Sequence, residues 1–155
     1  MAPGLIALVA ALAVAVVTGL AWQRGNGRIR GVRGAAAPGA PQAQASDGVA
    51  VDAGPMLTSM ELGLPLGQRA TLVQFSTAFC APCRATRRIL AEVAGMVDGV
   101  EHVEIDAESH LDLVRRLDIR RTPTVLVVGP DGRVAKRASG QPRKADVIAA
   151  VGELS

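Results

Sequence analysis

Four short apolar runs in the second half of the chain predict the strands of one sheet. Residues 70–77 form an apolar run, and residues 100–107 follow a mostly alternating apolar and polar pattern. Residues 123–129 are rich in β-branched side chains without interruption, which is typical of a strand buried on both faces. A turn sequence separates this run from residues 133–139, which we expect to pair back onto it as a hairpin.

Apolar residues at helical spacing fill the intervals between these runs. Residues 81–97, 109–117 and 144–154 each carry such a stripe and predict helices. The resulting order is strand, helix, strand, helix, strand, strand, helix. This order indicates an α/β layer sandwich with a mixed sheet, parallel first and antiparallel at the end. Residues 49–69 give only a weak signal, with a turn expected near Pro65.

The N-terminus has a different pattern, because residues 2–23 contain no charged side chain and residues 5–20 are almost all Leu, Ile, Val and Ala. About 20 residues at roughly 1.5 Å each span roughly 30 Å, the thickness of a bilayer core. We therefore predict a transmembrane anchor over residues 1–23 that contacts the membrane through residues 4–22, with Trp22 at the interface. The alternative is a cleaved signal peptide, although the basic start of such a peptide is missing.

Residues 24–48 are rich in Gly, Ala, Pro and Gln and have almost no large apolar side chain. Such a segment cannot bury a core, so we predict a flexible linker, followed by a folded domain over residues 49–155. The formal net charge of +3 comes entirely from four arginines in this linker, offset there by Asp47. The rest of the chain is neutral, which argues against a nucleic-acid-binding domain.

Those four arginines directly follow the apolar run, and no basic residue precedes it. By the positive-inside rule, they place the domain on the cytoplasmic side of the cell membrane, held by a single-pass anchor. The alternative is an anchor that emerges outward with an incidental basic linker, which would make the domain extracytoplasmic.

The two cysteines lie three residues apart, in Cys80-Ala-Pro-Cys83, at the junction of the first strand and the first helix. If Cys80 caps that helix, unpaired backbone N–H groups and the helix dipole face its sulfur. A thiolate is stabilised there, so we expect the thiol pKa to fall. Cys83 is close enough to form a disulfide with Cys80, and Pro82 is tolerated in the first turn because its N–H would have no helical partner. The pair is typical of a redox site rather than of a secreted disulfide framework.

With this motif after the first strand and Thr122-Pro123-Thr124 opening the buried run, residues 70–154 resemble the thioredoxin family. Further matching positions are Phe75, Ile105-Asp106, Asp131-Gly132 and Gly140. The resemblance implies a three-layer sandwich with a central mixed β-sheet and a cis peptide bond before Pro123. It also implies that the backbone of Thr122 pairs with the substrate, and that Pro123, Phe79 and Gly140 belong to the substrate-binding surface.

The resemblance further implies a catalytic role for each cysteine. Cys80 attacks a substrate disulfide, and Cys83 then attacks Cys80 to release the reduced substrate. Such a protein needs no cofactor beyond its redox-active disulfide. Its expected partners are protein disulfides and an upstream thiol reductase or membrane thiol carrier that supplies the electrons. We thus expect a membrane protein of electron transport that reduces protein disulfides.

Two departures from the family concern the proton of Cys83. Gln74 stands where thioredoxins carry a buried Asp, and His102 stands where they carry a companion Lys. Gln74 has no titratable proton, so we expect slower or differently controlled resolution, with water or His102 as the proton acceptor. The departure also supports the alternative hypothesis of a non-catalytic thioredoxin-fold binding or tethering module.

Zinc is the other chemistry that two cysteines and two histidines allow. His102 and His110 are separated by seven residues rather than by the three to five typical of zinc sites. We therefore expect no metal. We interpret His102 as a partly buried strand residue and His110 as an exposed residue near a helix start.

Overall fold

The computed structural model describes residues 2–25, 27–31 and 54–154. Its elements follow in chain order. They are α1 (Ala2–Gly25), β1 (Ile29–Gly31), α2 (Ser59–Leu62), β2 (Ala70–Ser76), α3 (Ala81–Met96), β3 (Val100–Asp106), α4 (Leu111–Arg116), β4 (Thr124–Val128), β5 (Val134–Ser139) and α5 (Lys144–Gly152).

The five strands form one sheet in the order β1-β5-β4-β2-β3. β2 and β3 are parallel, whereas β4 runs antiparallel to β2 and β5, and β5 runs antiparallel to β1. The predicted mixed α/β sheet is therefore confirmed. β2 lies between β3 and β4 and is buried along its whole length, which explains why its sequence is apolar on both faces.

Two apolar clusters cover the two faces of the sheet and make it the middle of three layers. On one face, side chains of α3 and α5 pack on β2, β4 and β5, with Leu90, Val93 and Val147 fully buried. On the other face, the cluster contains Phe75 and Leu126 of the sheet together with residues from α2 and α4 and the segments beside them. β2 is thus packed on both faces, and the Cys80–Cys83 motif follows shortly after its C-terminal end.

The segment before β2, whose sequence pattern predicts no clear element, contains the short capped helix α2. The Thr58 side chain accepts a hydrogen bond from the Glu61 backbone N–H, and the Glu61 carboxylate accepts one from the Thr58 N–H at 2.9 Å. This reciprocal arrangement is a capping box. Leu62 is buried beneath it, and Met56 forms an isolated bridge to Arg133 beside the start of β5.

The structure differs from the predicted linker at residues 29–31, which form β1 and pair with β5 instead of remaining a flexible tether. The sequence gives no strand signal there, because the pairing depends on the exposed edge of β5. Residues 32–48 of the linker and the side chain of Trp22 lie outside the described residues.

Residues 2–25 form a helix of 24 residues, in which every described side chain, from 7 to 21, is exposed. Within the part of the chain that the structure describes, no helix has the length and apolar character needed to cross a membrane. The transmembrane part of the prediction is therefore not supported.

Candidate active site

Cys80 lies between β2 and α3, as the residue that caps the N-terminus of α3. Its backbone is extended (φ −91°, ψ 96°), and its Sγ accepts a hydrogen bond from the Cys83 backbone N–H at 3.2 Å. Pro82 lies in the first turn, where its missing N–H leaves no gap in the helix. The predicted cap is thus confirmed, with the sulfur at the positive end of the helix dipole.

The two sulfur atoms form a disulfide of 2.04 Å, with Cα atoms 5.2 Å apart. Cys83 is only 2% exposed, whereas Cys80 is half-buried and its neighbour Phe79 is 100% exposed. An incoming sulfur therefore reaches Cys80 and not Cys83. This difference in access supports the predicted order of attack.

The loop before β4 lies beside the end of β2. The peptide bond between Thr122 and Pro123 is cis, as the resemblance implied. The hydroxyls of Thr122 and Thr77 are 3.2 Å apart and share a hydrogen bond, which links this loop to the segment that leads to Cys80. The Gly140 N–H donates to the Pro123 carbonyl at 2.7 Å, so Gly140 supports the loop from the end of β5. The substrate-binding roles of Phe79, Thr122, Pro123 and Gly140 remain predictions.

Gln74 is completely buried behind the disulfide and faces α3. Its Nε2 donates to Ser76 Oγ at 2.7 Å and to the Cys83 carbonyl at 3.0 Å, and it lies 3.4 Å from Glu104 Oε1. Its Oε1 is buried and has no hydrogen-bond partner among the described residues. Gln74 therefore holds the backbone of Cys83 in place but carries no proton that the cysteines could exchange.

Sequence reasoning missed Glu104, which lies directly opposite Gln74 in the parallel pairing of β2 and β3. Together with Cys80, Cys83 and Ser76, it lines an open cavity of about 470 Å³. Arg87 of α3 donates to its carboxylate at 2.8 Å. Partial burial raises the pKa of Glu104, but hydrogen bonds from Arg87 and Ser76 outweigh burial and leave that pKa below its ordinary value. A charged carboxylate thus borders the buried cysteine.

His102 lies on the same face of β3 as Glu104 but two residues further from the cysteines, opposite Leu72. Burial lowers the pKa of His102, Glu104 raises it and Arg87 lowers it, with a net lowering. Its Nε2 is buried without a partner among the described residues. The residues that line the cavity beside the cysteines do not include His102. Its role as proton acceptor stays a prediction.

His110 lies at the start of α4, where its Nδ1 is 3.0 Å from the Asp106 carbonyl oxygen. In the described ranges, no group of three or more His, Cys, Asp and Glu side chains has a geometry that suits a metal ion. The structure thus brings the two cysteines together but adds no histidine to them.

Comparisons with known proteins place this arrangement in a family. The model of the family described as Thioredoxin matches residues 64–153. Thioredoxin C-2 of Corynebacterium nephridii is 33% identical over 73 residues, which cover 46% of this chain and 68% of that protein. Thioredoxin H5 of Oryza sativa subsp. japonica is 26% identical over 46% of this chain, and the chain spans only 53% of that relative's length.

A solved structure of chloroplastic thioredoxin z is similar as well, with 28% identity and a TM-score of 0.50. The likeness covers 56% of this chain and 79% of that one. The residues that the family model matches contain the strands β2 to β5, the cysteine pair and the cis-proline loop. Because the family model covers more than half of the chain and includes both cysteines, the chain belongs to the thioredoxin family.

Proposed function

We propose that this protein is a thiol-disulfide oxidoreductase that reduces protein disulfides through Cys80 and Cys83. The observation that carries the proposal is the contrast between the two sulfurs. Cys80 is accessible and receives a backbone N–H at the positive end of a helix, whereas Cys83 is buried within bonding distance of it. A thiolate is the reactive form of cysteine, and a helix N-terminus stabilises it.

The reaction begins from the reduced pair. The Cys80 thiolate attacks one sulfur of the substrate disulfide, forms a bond to it and expels the other substrate sulfur, which takes up a proton. Cys83 then loses its proton and attacks Cys80. The mixed disulfide breaks, the Cys80–Cys83 disulfide forms, and the second substrate sulfur leaves as a thiol. Two electrons thus pass from the protein to its substrate, and of the two protons that the substrate sulfurs take up, one replaces the proton that Cys83 loses and the other comes from solvent.

Glu104 is the residue that we propose as the acceptor of the Cys83 proton. Its carboxylate lines the same cavity as Cys83 and is ionised at neutral pH, so it can accept a proton, and its lowered pKa means that the proton passes on to solvent rather than staying on Glu104. The Gln74 amide orients this side of the site because it donates both to the Cys83 carbonyl and to Ser76. The acceptor thus lies on β3, one strand away from where the family places its carboxylate.

The electrons that regenerate the dithiol come from a further partner. We propose an upstream thiol reductase if the domain faces the cytoplasm and a membrane thiol carrier if it faces outward. No cofactor is needed for either route, because thiol-disulfide exchange moves the electrons between sulfur atoms alone.

We also propose that α1 attaches the domain to a membrane. Residues 7–21 expose apolar side chains on every side of the helix, and such a helix is stable only in an apolar environment. Thr18 is their one polar side chain, and its hydroxyl donates to the Val14 carbonyl at 2.8 Å within the helix. Lipid would therefore leave no unpaired side-chain polar group there. The cytoplasmic placement and its extracytoplasmic alternative stay predictions.

A non-catalytic binding or tethering module is the second candidate function. Gln74 favours it, because a buried amide cannot act as a proton acceptor. In that case, Phe79 and the cis-proline loop would hold a partner segment, and the disulfide would not turn over.

A thiol titration separates the two functions. The described domain, from residue 54 onward, is equilibrated in glutathione buffers of known potential, and free thiols are counted by alkylation and mass. A reversible two-electron transition between about −300 and −180 mV supports the oxidoreductase. Thiols that stay oxidised or stay reduced in every buffer support the binding module instead.

A further inference from the structure

β1 lies at the edge of the sheet and ties the end of α1 to the domain. The Gly27 N–H donates to the Ser139 carbonyl at 2.9 Å, and the three residues of β1 pair with β5. Ile29 packs against the apolar cluster formed with α5. α1 ends at Gly25, so only one residue separates the helix from the attachment at Gly27, and the two ends are at most about 7 Å apart.

Gly27 makes this attachment tight. It is buried, its φ is +80°, and a Cβ atom at this position would lie 1.9 Å from the Gln141 carbonyl oxygen. A side chain is excluded both by the backbone conformation and by this contact. At Gly31, at the other end of β1, no atom lies within 4 Å of the position that a Cβ atom would take. The close approach is therefore confined to the end of β1 that follows α1.

The register of the sheet places this attachment at the same end as the cysteines. Gly27 bonds to Ser139, Ser139 pairs with Thr124, and Thr124 pairs with Phe75 near the end of β2. Adjacent strands are about 4.8 Å apart. Gly27 thus lies about two strand spacings, or about 10 Å, from the start of β4 and about 15 Å from the end of β2. The end of α1 lies at most about 7 Å beyond Gly27.

We propose that this protein acts on disulfides located at the lipid surface, because β1 holds the end of the membrane-attached α1 beside the active site. The substrates are disulfides of membrane proteins, in segments that lie within about 22 Å of the bilayer. This inference rests on the proposed oxidoreductase activity and on the proposed attachment through α1. It adds the location of the substrate, which neither of those proposals specifies.

The charges around β1 fit an anionic lipid surface. Arg28 and Arg30 lie two residues apart, share one face of the chain and are exposed, and neither forms an ion pair within the described ranges. They line a groove of about 310 Å³ whose acidic groups already have basic partners. Those partners are Arg143 for Asp146 and Lys136 for Glu153. Basic residues that directly follow a membrane-bound helix attract anionic headgroups.

The test uses the full chain in liposomes that contain anionic lipid, with dithiothreitol as the reductant. Two lipid-anchored probe peptides carry the same disulfide, one at the bilayer surface and one beyond a helical spacer of about 40 residues, or about 60 Å. A third probe is the same peptide without a lipid. We expect the native chain to reduce the surface probe at least about tenfold faster than the distant probe, because attachment raises the effective concentration of nearby disulfides.

Gly27→Ala is the decisive variant, and Gly31→Ala is its matched control. Gly27→Ala displaces β1 and frees the domain from the end of α1, so we expect the preference for the surface probe to fall to about twofold or less. Gly31→Ala leaves the contact intact and should keep the full preference. Both variants should reduce the soluble probe as fast as the native chain, since neither residue belongs to the active site.

Every other result would contradict the inference, and each one shows which step of it is wrong. If the native chain floats with the liposomes but reduces both anchored probes equally, the inference is wrong while the activity and the attachment stand. If Gly27→Ala keeps the preference, attachment through β1 is not its cause. If the native chain does not float with the liposomes, the proposed attachment is wrong. If it reduces the soluble probe no faster than dithiothreitol alone does, the proposed oxidoreductase activity is wrong.

Discussion

Cys80 and Cys83 are one helical turn apart, yet their surroundings differ in almost every physical respect. The exposed side of the site is formed by Phe79, which is open to solvent, and by the half-buried Cys80, whose chemistry depends on the backbone N–H groups that begin α3. The buried side is the network of Gln74, Ser76, Cys83, Arg87 and Glu104, and it draws on β2, β3 and α3 together.

This difference separates two requirements of one reaction. Attack on a substrate needs an accessible thiolate, which a local cap provides. Resolution needs a proton acceptor next to a buried thiol, which a local segment of chain cannot provide. On the buried side, the family's carboxylate at position 74 is replaced by an amide, and a carboxylate is present on the adjacent strand instead. We propose that Glu104, 30 positions away in the chain, performs the same task.

The largest expected effect comes from replacing each of the two cysteines with serine in a separate variant. Cys80→Ser should abolish reduction of a soluble disulfide such as insulin, because the attacking sulfur is lost. Cys83→Ser should still attack but fail to resolve, and should accumulate a covalent mixed disulfide with the substrate. Non-reducing gels and intact mass measure the adduct. Adducts on Cys80→Ser with Cys83 as the linked residue would reverse the assignment of the two roles.

Gln74→Glu tests how strictly the buried side excludes a second charge. The new carboxylate would be completely buried and would face Glu104 across about the present 3.4 Å. We expect the free energy of unfolding at pH 7 to fall by about 3 kcal/mol, because burial and like charge both oppose ionisation. Gln74→Met is the control, since it removes the amide without adding charge. Denaturant unfolding that shows equal losses for both variants would contradict the electrostatic explanation.

Glu104→Gln tests the proposed proton acceptor, and His102→Asn is its control on the same face of β3. We expect Glu104→Gln to slow resolution of the mixed disulfide by about ten- to a hundredfold near neutral pH, because general base catalysis is lost. His102→Asn should resolve at the native rate. Rapid acid quenching and alkylation measure the lifetime of the mixed disulfide. Slow resolution in His102→Asn alone would restore the original prediction for His102.

The smallest expected effect is the stability that the Arg87–Glu104 pair contributes. Because the pKa of Glu104 is lowered in the folded protein, the pair stabilises the fold above the ordinary carboxyl pKa and loses this effect as pH falls through the lowered value. The Arg87 side chain is 55% exposed and that of Glu104 is 24% exposed, so solvent screens the pair and we expect Glu104→Gln to lower the melting temperature by at most about 5 °C at pH 7. The difference should be smaller at pH 3 than at pH 7, because the carboxylate becomes protonated as pH falls. Calorimetry that finds an equal difference at both pH values would show that packing, not charge, is responsible.

The sequence by itself determined the framework of this protein. The alternation of short apolar runs and helical stripes predicted β2 to β5, α3, α4 and α5 in their correct order. The spacing of the cysteines and the proline after the first of them predicted the cap of α3, because hydrogen bonds at a helix start depend only on the nearest residues. These features could be predicted because each depends on residues that are close in the chain.

Only the tertiary structure decided which distant residues meet. Glu104 looks like one more polar residue of an alternating strand until the register of β2 and β3 places it opposite Gln74. Residues 27–31 look like a flexible linker until the free edge of β5 pairs with them, and the close contact of Gly27 with Gln141 fixes that pairing. Strand register and edge pairing join positions far apart in the chain, so no local pattern of side chains encodes them.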